Sequence, residues 1–121
     1  SRSFTYVDDI VEGVVRACDQ PVAPNPAWNS DLPDPATSNA PYRIFNIGSS
    51  QNTPLMRYIE VLEQSLGKKA QLQMLPLQAG DVPDTFADCS DLETVLGYAP
   101  KVTVEDGVAN FVHWYREFYS A

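Results

Sequence analysis

The sequence predicts an α/β chain, with a small sheet of two or three short strands beside three main helices and one short helix. Three observations carry that expectation. Apolar residues recur at helical spacing over 10–18, 55–66 and 104–119. Mixtures of β-branched, aromatic and aliphatic residues at 1–7, 43–47 and 71–77 read as strands. The run from 43 to 66 then reads strand, loop, helix, which is half of a parallel-sheet unit.

Ser1 to Val7 alternates polar residues with Phe4 and Tyr6 and contains Thr5 and Val7, the composition of a short strand. Asp8 or Asp9 next offers a helix N-cap, with Ile10, Val11, Val14, Val15 and Cys18 on one face. Two adjacent carboxylates invite an acid–base reading, but capping and attraction to the helix dipole account for Asp8 and Asp9 more simply. From Gln20 to Tyr42 the character changes, because six of the ten prolines lie there: Pro21, Pro24, Pro26, Pro33, Pro35 and Pro41. Prolines at that density remove backbone donors and forbid a regular helix, so 20–42 is expected to be a long surface loop, partly disordered. Trp28 is expected to pin it by burying its ring rather than to stack on a sugar.

Arg43 to Ile47 reads as a buried strand ended by Gly48, with the Asn46 amide tethering backbone. Thr53 is the expected N-cap and Pro54 the first helical residue, and Leu55, Tyr58, Ile59, Leu62 and Leu66 form an apolar stripe that Gly67 closes. Gln71 to Leu77 reads as a further strand. Ser90-Asp-Leu-Glu93 has capping-box spacing and starts a short helix that stops before Gly97. Thr103 caps the last helix, whose face is Val104, Val108, Phe111, Val112, Tyr115 and Tyr119. The aromatics near the C-terminus read as packing groups. His113, the only histidine, reads as a partly exposed helix position because no serine or cysteine partner motif accompanies it.

Composition removes several classes of function. A hydrophobic fraction of 44% is normal for a globular chain, whereas a net charge of −8 leaves no basic surface for nucleic acid or an anionic membrane. No apolar run approaches the roughly 18 residues of a membrane span, and no signal-peptide pattern opens the chain. A cytoplasmic location is therefore expected. Two cysteines, Cys18 and Cys89, without a C-x-x-C spacing indicate neither a disulfide framework nor a zinc site, so both read as reduced, unreactive thiols and no metal is expected.

The stretch with recognition chemistry is Leu75 to Asp88, L-P-L-Q-A-G-D-V-P-D-T-F-A-D. Pro76, Gly80 and Pro83 restrict its turns, and between them Gln78 offers an amide and Asp81 a carboxylate able to accept two hydroxyls, equipment suited to a ribose or sugar. Local pattern alone fits an ordinary strand-to-helix connector as well. This loop, the opening S-R-S-F-T-Y-V-D-D-I-V-E-G-V and the segment Phe45-Asn46-Ile47-Gly48 together resemble the C-terminal portion of the extended short-chain dehydrogenase/reductase nucleotide-sugar epimerases, above all the UDP-glucuronate 4-epimerase branch. The resemblance implies that Arg2 contacts the UDP diphosphate, for which a forked guanidinium is well suited. It implies that Gln78 and Asp81 bind the same UDP-sugar. Relatives acting on UDP-galactose usually carry arginine where Gln78 stands, and the glucuronate branch usually carries glutamine.

By the same resemblance, residues 1–121 are expected to be the C-terminal substrate lobe of an extended Rossmann-type enzyme, a fragment with an incomplete sheet and without its N-terminal NAD-binding domain. Such an enzyme removes hydride from the sugar's C4 to NAD, rotates the ketone and returns hydride to the other face, using a glycine-rich βα turn and a Tyr-x-x-x-Lys pair. Neither occurs here: the six glycines are scattered, and the residues four before Lys68, Lys69 and Lys101 are Gln64, Ser65 and Gly97. No catalytic or NAD-binding residue is therefore expected in the chain, which by itself is expected to be inactive, and to self-associate through apolar stripes that a missing domain would cover. Two other readings stay open, namely the same lobe of a sugar-nucleotide dehydratase, decarboxylase or reductase, and a free-standing interaction module built on the aromatic helix and the Pro-rich loop.

Overall fold

A computed structural model describes residues 1–120. Its regular elements are four helices in chain order: α1 (Val7–Asp19), α2 (Leu55–Leu66), α3 (Ser90–Leu96) and α4 (Val104–Tyr119). Three long helices and one short one match the expectation from apolar spacing. The helix ends are also where the local chemistry puts them. Gly67 and Gly97 close α2 and α3 in the left-handed conformation, each donating its backbone N–H to a glutamate carbonyl of the last turn, Glu63 and Glu93. Thr103 caps α4 by accepting the Asp106 N–H at 3.1 Å.

The sheet is the main correction. Among the described residues the three expected strands are extended segments that form only isolated antiparallel bridges, Arg2 with Thr53 and Thr37 with Arg43. In the first, Arg2 and Thr53 exchange both backbone hydrogen bonds at 3.1 and 3.0 Å, and in the second Ile44 donates to Ala36 at 2.9 Å. Residues 71–77 make no bridge at all and are exposed throughout. β-branched and aromatic content favours an extended backbone, but a strand exists only where a neighbour supplies alternate donors and acceptors along several residues. Single rungs are all that the described residues supply to one another.

Two helix starts also differ. α2 begins at Leu55 with Pro54 still extended (φ −59°, ψ 141°) and no side-chain cap, because the backbone of Thr53 is committed to Arg2. At α3 the hydroxyl of Ser90 does not cap. Asp88 accepts both the backbone N–H and the hydroxyl of Ser90, at 3.0 and 2.7 Å, and these bonds hold its carboxyl below the usual carboxylate range.

The buried interior consists of two small clusters. Val61 of α2 meets Val104, Val108 and Val112 of α4, with Phe4, Tyr58, Leu62 and Leu66 packed around them, and the Phe4 ring stacks on Tyr58 at 4.3 Å. Leu92, Leu96 and Tyr98 form the second, roofed by Ala17, Phe45 and Ile47. α1 packs on this cluster with a face rotated from the expected one: Ile10 points inward as expected, but with Gly13 and Ala17, while Val7, Val11, Val14 and Val15 are exposed. The close approach of α1 explains the rotation, since a Cβ added at Gly13 would stand 3.0 Å from Ile47. An aromatic row on α4, Phe111, Trp114 and Phe118, is likewise exposed, with Trp114 stacked on Phe118 at 5.4 Å.

Loop 20–42 is irregular, as its prolines require, yet it is stitched to itself. Asn25, Asn29 and Asp34 each accept a backbone N–H two residues ahead, and the half-buried Trp28 donates its indole N–H to the Asp34 carbonyl at 3.3 Å. Trp28 thus ties the loop through its indole N–H, whereas its ring, expected to be buried, is only half-buried. At the far side of the fold the segment 43–48 crosses 86–89 closely: Asn46 Nδ2 donates to the Asp88 carbonyl at 3.1 Å, and a Cβ at Gly48 would lie 2.7 Å from that of Ala87.

Candidate substrate-binding site

The first residues of the chain are held firmly. Phe4 is stacked into the α2–α4 cluster, the Thr5 hydroxyl accepts the Ser49 N–H at 2.9 Å, and Arg2 is bridged to Thr53 through its backbone. The Arg2 side chain therefore projects from a fixed base, and it reaches across to the loop 75–88. Its NH2 nitrogen donates to Asp81 Oδ1 at 3.3 Å and to the Val82 carbonyl at 2.9 Å, and its NH1 nitrogen donates to the carbonyls of Pro83 and Ser1, both at 2.9 Å. Two of the three residues singled out in the sequence, 79 positions apart, thus meet directly.

The third lies on the same turn without joining the contact. Gln78 accepts the Asp81 backbone N–H at 3.2 Å, closing a turn in which Gly80 adopts φ +90°, a conformation that a side chain would oppose. The Gln78 amide itself makes no hydrogen bond among the described residues and is exposed. Residues 71–86 are exposed without exception, so this loop contributes almost no buried surface to the fold. An anchored guanidinium thus faces a loosely held amide and carboxylate, an arrangement able to grip an anion that carries hydroxyl groups.

The carboxylate that the sequence reading misjudged is Asp9. It caps nothing in its own helix. Only 7% exposed, it accepts the backbone N–H groups of Lys101 and Val102 at 3.1 and 2.9 Å, while the Tyr98 hydroxyl stands 2.9 Å from its Oδ1. Burial, with the Asp9 hydrogen bond adding to it, pushes the Tyr98 phenol up to about 12. The partners lie about ninety residues downstream, so no local pattern announces them. Asp9 is structural: it fixes α1, and with it the opening segment, to the connection between α3 and α4.

The remaining candidates are quiet. Cys18 is exposed and Cys89 half-buried; the Cys89 thiol donates to the Gly48 carbonyl at 3.3 Å, and burial pushes its pKa up, away from the reactive thiolate. His113 is exposed on α4, its Nε2 3.6 Å from Glu117 one turn on. Among the described residues no three His, Cys, Asp or Glu side chains converge as a metal centre requires, and no helix is long and apolar enough to cross a membrane.

The chain is similar to known proteins. The chain is 46% identical over 118 residues to Protein CapI of Staphylococcus aureus, covering 98% of this chain and 35% of that protein. It is 44% identical over 123 residues to a probable UDP-glucuronate 4-epimerase of Rhizobium meliloti (strain 1021), again covering 98% of this chain and 35% of the relative. Among solved structures it superposes with a TM-score of 0.72, at 27% identity, on a UDP-glucuronic acid 4-epimerase of Bacillus cereus, a tyrosine-to-phenylalanine mutant in complex with UDP-4-deoxy-4-fluoro-glucuronic acid and NAD. Over nearly its whole length the chain is thus similar to one part of proteins named as UDP-glucuronate 4-epimerases. It spans about a third of the length of these relatives, while 97% of it is covered by the Bacillus cereus structure. No family model matches it.

Proposed function

We propose that residues 1–121 are the C-terminal, substrate-binding portion of an NAD-dependent UDP-glucuronate 4-epimerase, interconverting UDP-glucuronate and UDP-galacturonate by hydride removal and return at C4. The observation that carries this reading is the meeting of Arg2 with Asp81 across the fold, beside the free amide of Gln78. In the bound state Arg2 turns its fork to the diphosphate oxygens, Gln78 donates to the same nucleotide and Asp81 accepts ribose hydroxyls. The relatives' names favour this activity over a dehydratase, decarboxylase or reductase, and over a free-standing interaction module.

The residues of this chain do not fit NAD. Its glycines stand singly, at helix ends, in the Gly80 turn and where segments cross, and none forms the clustered strand-to-helix turn that receives a pyrophosphate. NAD, which takes up and returns the hydride, is therefore held by residues beyond these 121, as is the base that takes the C4 proton. What this chain does is bind and orient the nucleotide end of the substrate. Two unpaired thiols suit a reducing compartment, and we place the reaction in the cytoplasm.

The test is a calorimetric titration of UDP into the intact protein and into its Arg2→Ala variant. Loss of a charge-assisted pair to the diphosphate is expected to weaken binding about ten-fold or more. Equal affinity of the two proteins would remove Arg2 from the site and with it the reading. A second expectation concerns the 121 residues alone: the exposed valines of α1 and aromatics of α4 are covered by another copy, so the sedimentation coefficient rises with concentration. A single monomeric boundary at high concentration would refute that.

A further inference from the structure

A guanidinium has five N–H donors, and in Arg2 four of them are already spent, on Asp81 Oδ1 and on the carbonyls of Ser1, Val82 and Pro83. Only the Nε–H makes no hydrogen bond among the described residues. An anion approaching Arg2 therefore does not find an open fork; it must displace the loop that occupies it. The loop is suited to leave, since residues 71–86 are exposed and both partners of the Arg2–Asp81 pair stand at the surface, with side-chain exposures of 38% and 53%.

Resting on the reading that Arg2 takes the diphosphate of a nucleotide, we propose that Asp81 is a specificity determinant that makes this site select nucleoside diphosphates over free pyrophosphate. Displacement frees two groups at once. A bare pyrophosphate satisfies Arg2 but leaves the Asp81 carboxylate unpartnered beside a like charge. A ligand that carries vicinal hydroxyls near its phosphates returns two O–H donors to Asp81, so the exchange is balanced on both sides. Discrimination thus comes from an internal carboxylate that competes with the wrong ligand and is satisfied by the right one.

UDP and inorganic pyrophosphate are titrated into the intact protein and into Asp81→Asn and Asp84→Asn variants. Asp84 serves as control because it is a carboxylate of the same loop that makes no hydrogen bond to Arg2. The unmodified protein is expected to prefer UDP by at least about ten-fold. In Asp81→Asn, pyrophosphate should tighten by about three-fold or more while UDP weakens, collapsing the ratio, and Asp84→Asn should keep the ratio within about two-fold. Pyrophosphate affinity unchanged or lowered by Asp81→Asn, or raised equally by Asp84→Asn, would overturn the proposal while leaving Arg2 as an anion ligand intact. Failure of the reading beneath it has a different signature, an Arg2→Ala variant that binds UDP as well as the unmodified protein.

Discussion

Asp9 and Asp81 are both carboxylates that reach to the other end of the chain, and they differ in what surrounds them. Asp9 is shut away from water and answers three donors, two of them half-buried backbone N–H groups. Asp81 stands in solvent and takes one 3.3 Å bond from an arginine that has three other acceptors. Loss of the first takes the acceptor from three donors at once, whereas loss of the second is made good by water within the same geometry. The comparison explains why one end of the site is fixed and the other is free to exchange partners. A carboxylate buried with its donors determines structure, and one left at the surface remains available for a ligand.

Three substitutions probe that contrast, in descending order of expected effect. Asp9→Ala takes the acceptor from two half-buried N–H groups and leaves the Tyr98 hydroxyl only the backbone carbonyl of residue 9, and is expected to cost about 3 kcal/mol of unfolding free energy, measured from the urea midpoint at constant slope. A loss below about 1 kcal/mol would put Asp9 on a level with its exposed counterpart and end the comparison. Tyr98→Phe removes one donor and keeps the ring, for an expected cost of about 1 to 2 kcal/mol. Because the folded phenol titrates near 12, above its usual 10, its contribution is full below pH 10 and is lost as pH climbs toward 12. Stability of the unmodified protein should therefore fall across that window more steeply than that of Tyr98→Phe, and parallel curves would exclude the Tyr98–Asp9 bond as the cause. Asp81→Asn is expected to change stability by less than about 1 kcal/mol, since exposed ion pairs contribute little; a larger loss would make the loop part of the scaffold.

What the sequence made legible follows the range over which each signal acts. Helix spacing, the glycines after α2 and α3 and the Thr103 cap are written within a few residues, and the structure keeps them. The strands depend on partners distant in the chain, so residues 1–6 and 43–47 are extended as their composition suggests but reach only one rung each, and Val7 already opens α1. α1 exposes the valines that periodicity assigned inward, because a helix with two apolar sides does not say which of them this chain covers. Val61, the buried residue of α2, was likewise passed over for its neighbour Leu62. Within the site, Pro76, Gly80 and Pro83 marked the turn, whereas the contact between Arg2 and Asp81 had no local signature, and the family likeness implied only that both residues bind one ligand. The role of Asp9 had neither.

The crossing at Gly48 sets a tolerance that the rest of the fold does not share. With 2.7 Å between a hypothetical methyl and that of Ala87, the smallest possible side chain is already a wedge driven between segments 43–48 and 86–89. Any effort to diversify this protein can therefore range widely over neighbours such as Ser50 and Gln51, which are exposed, while a lone hydrogen atom at position 48 remains the one choice that keeps the seam shut.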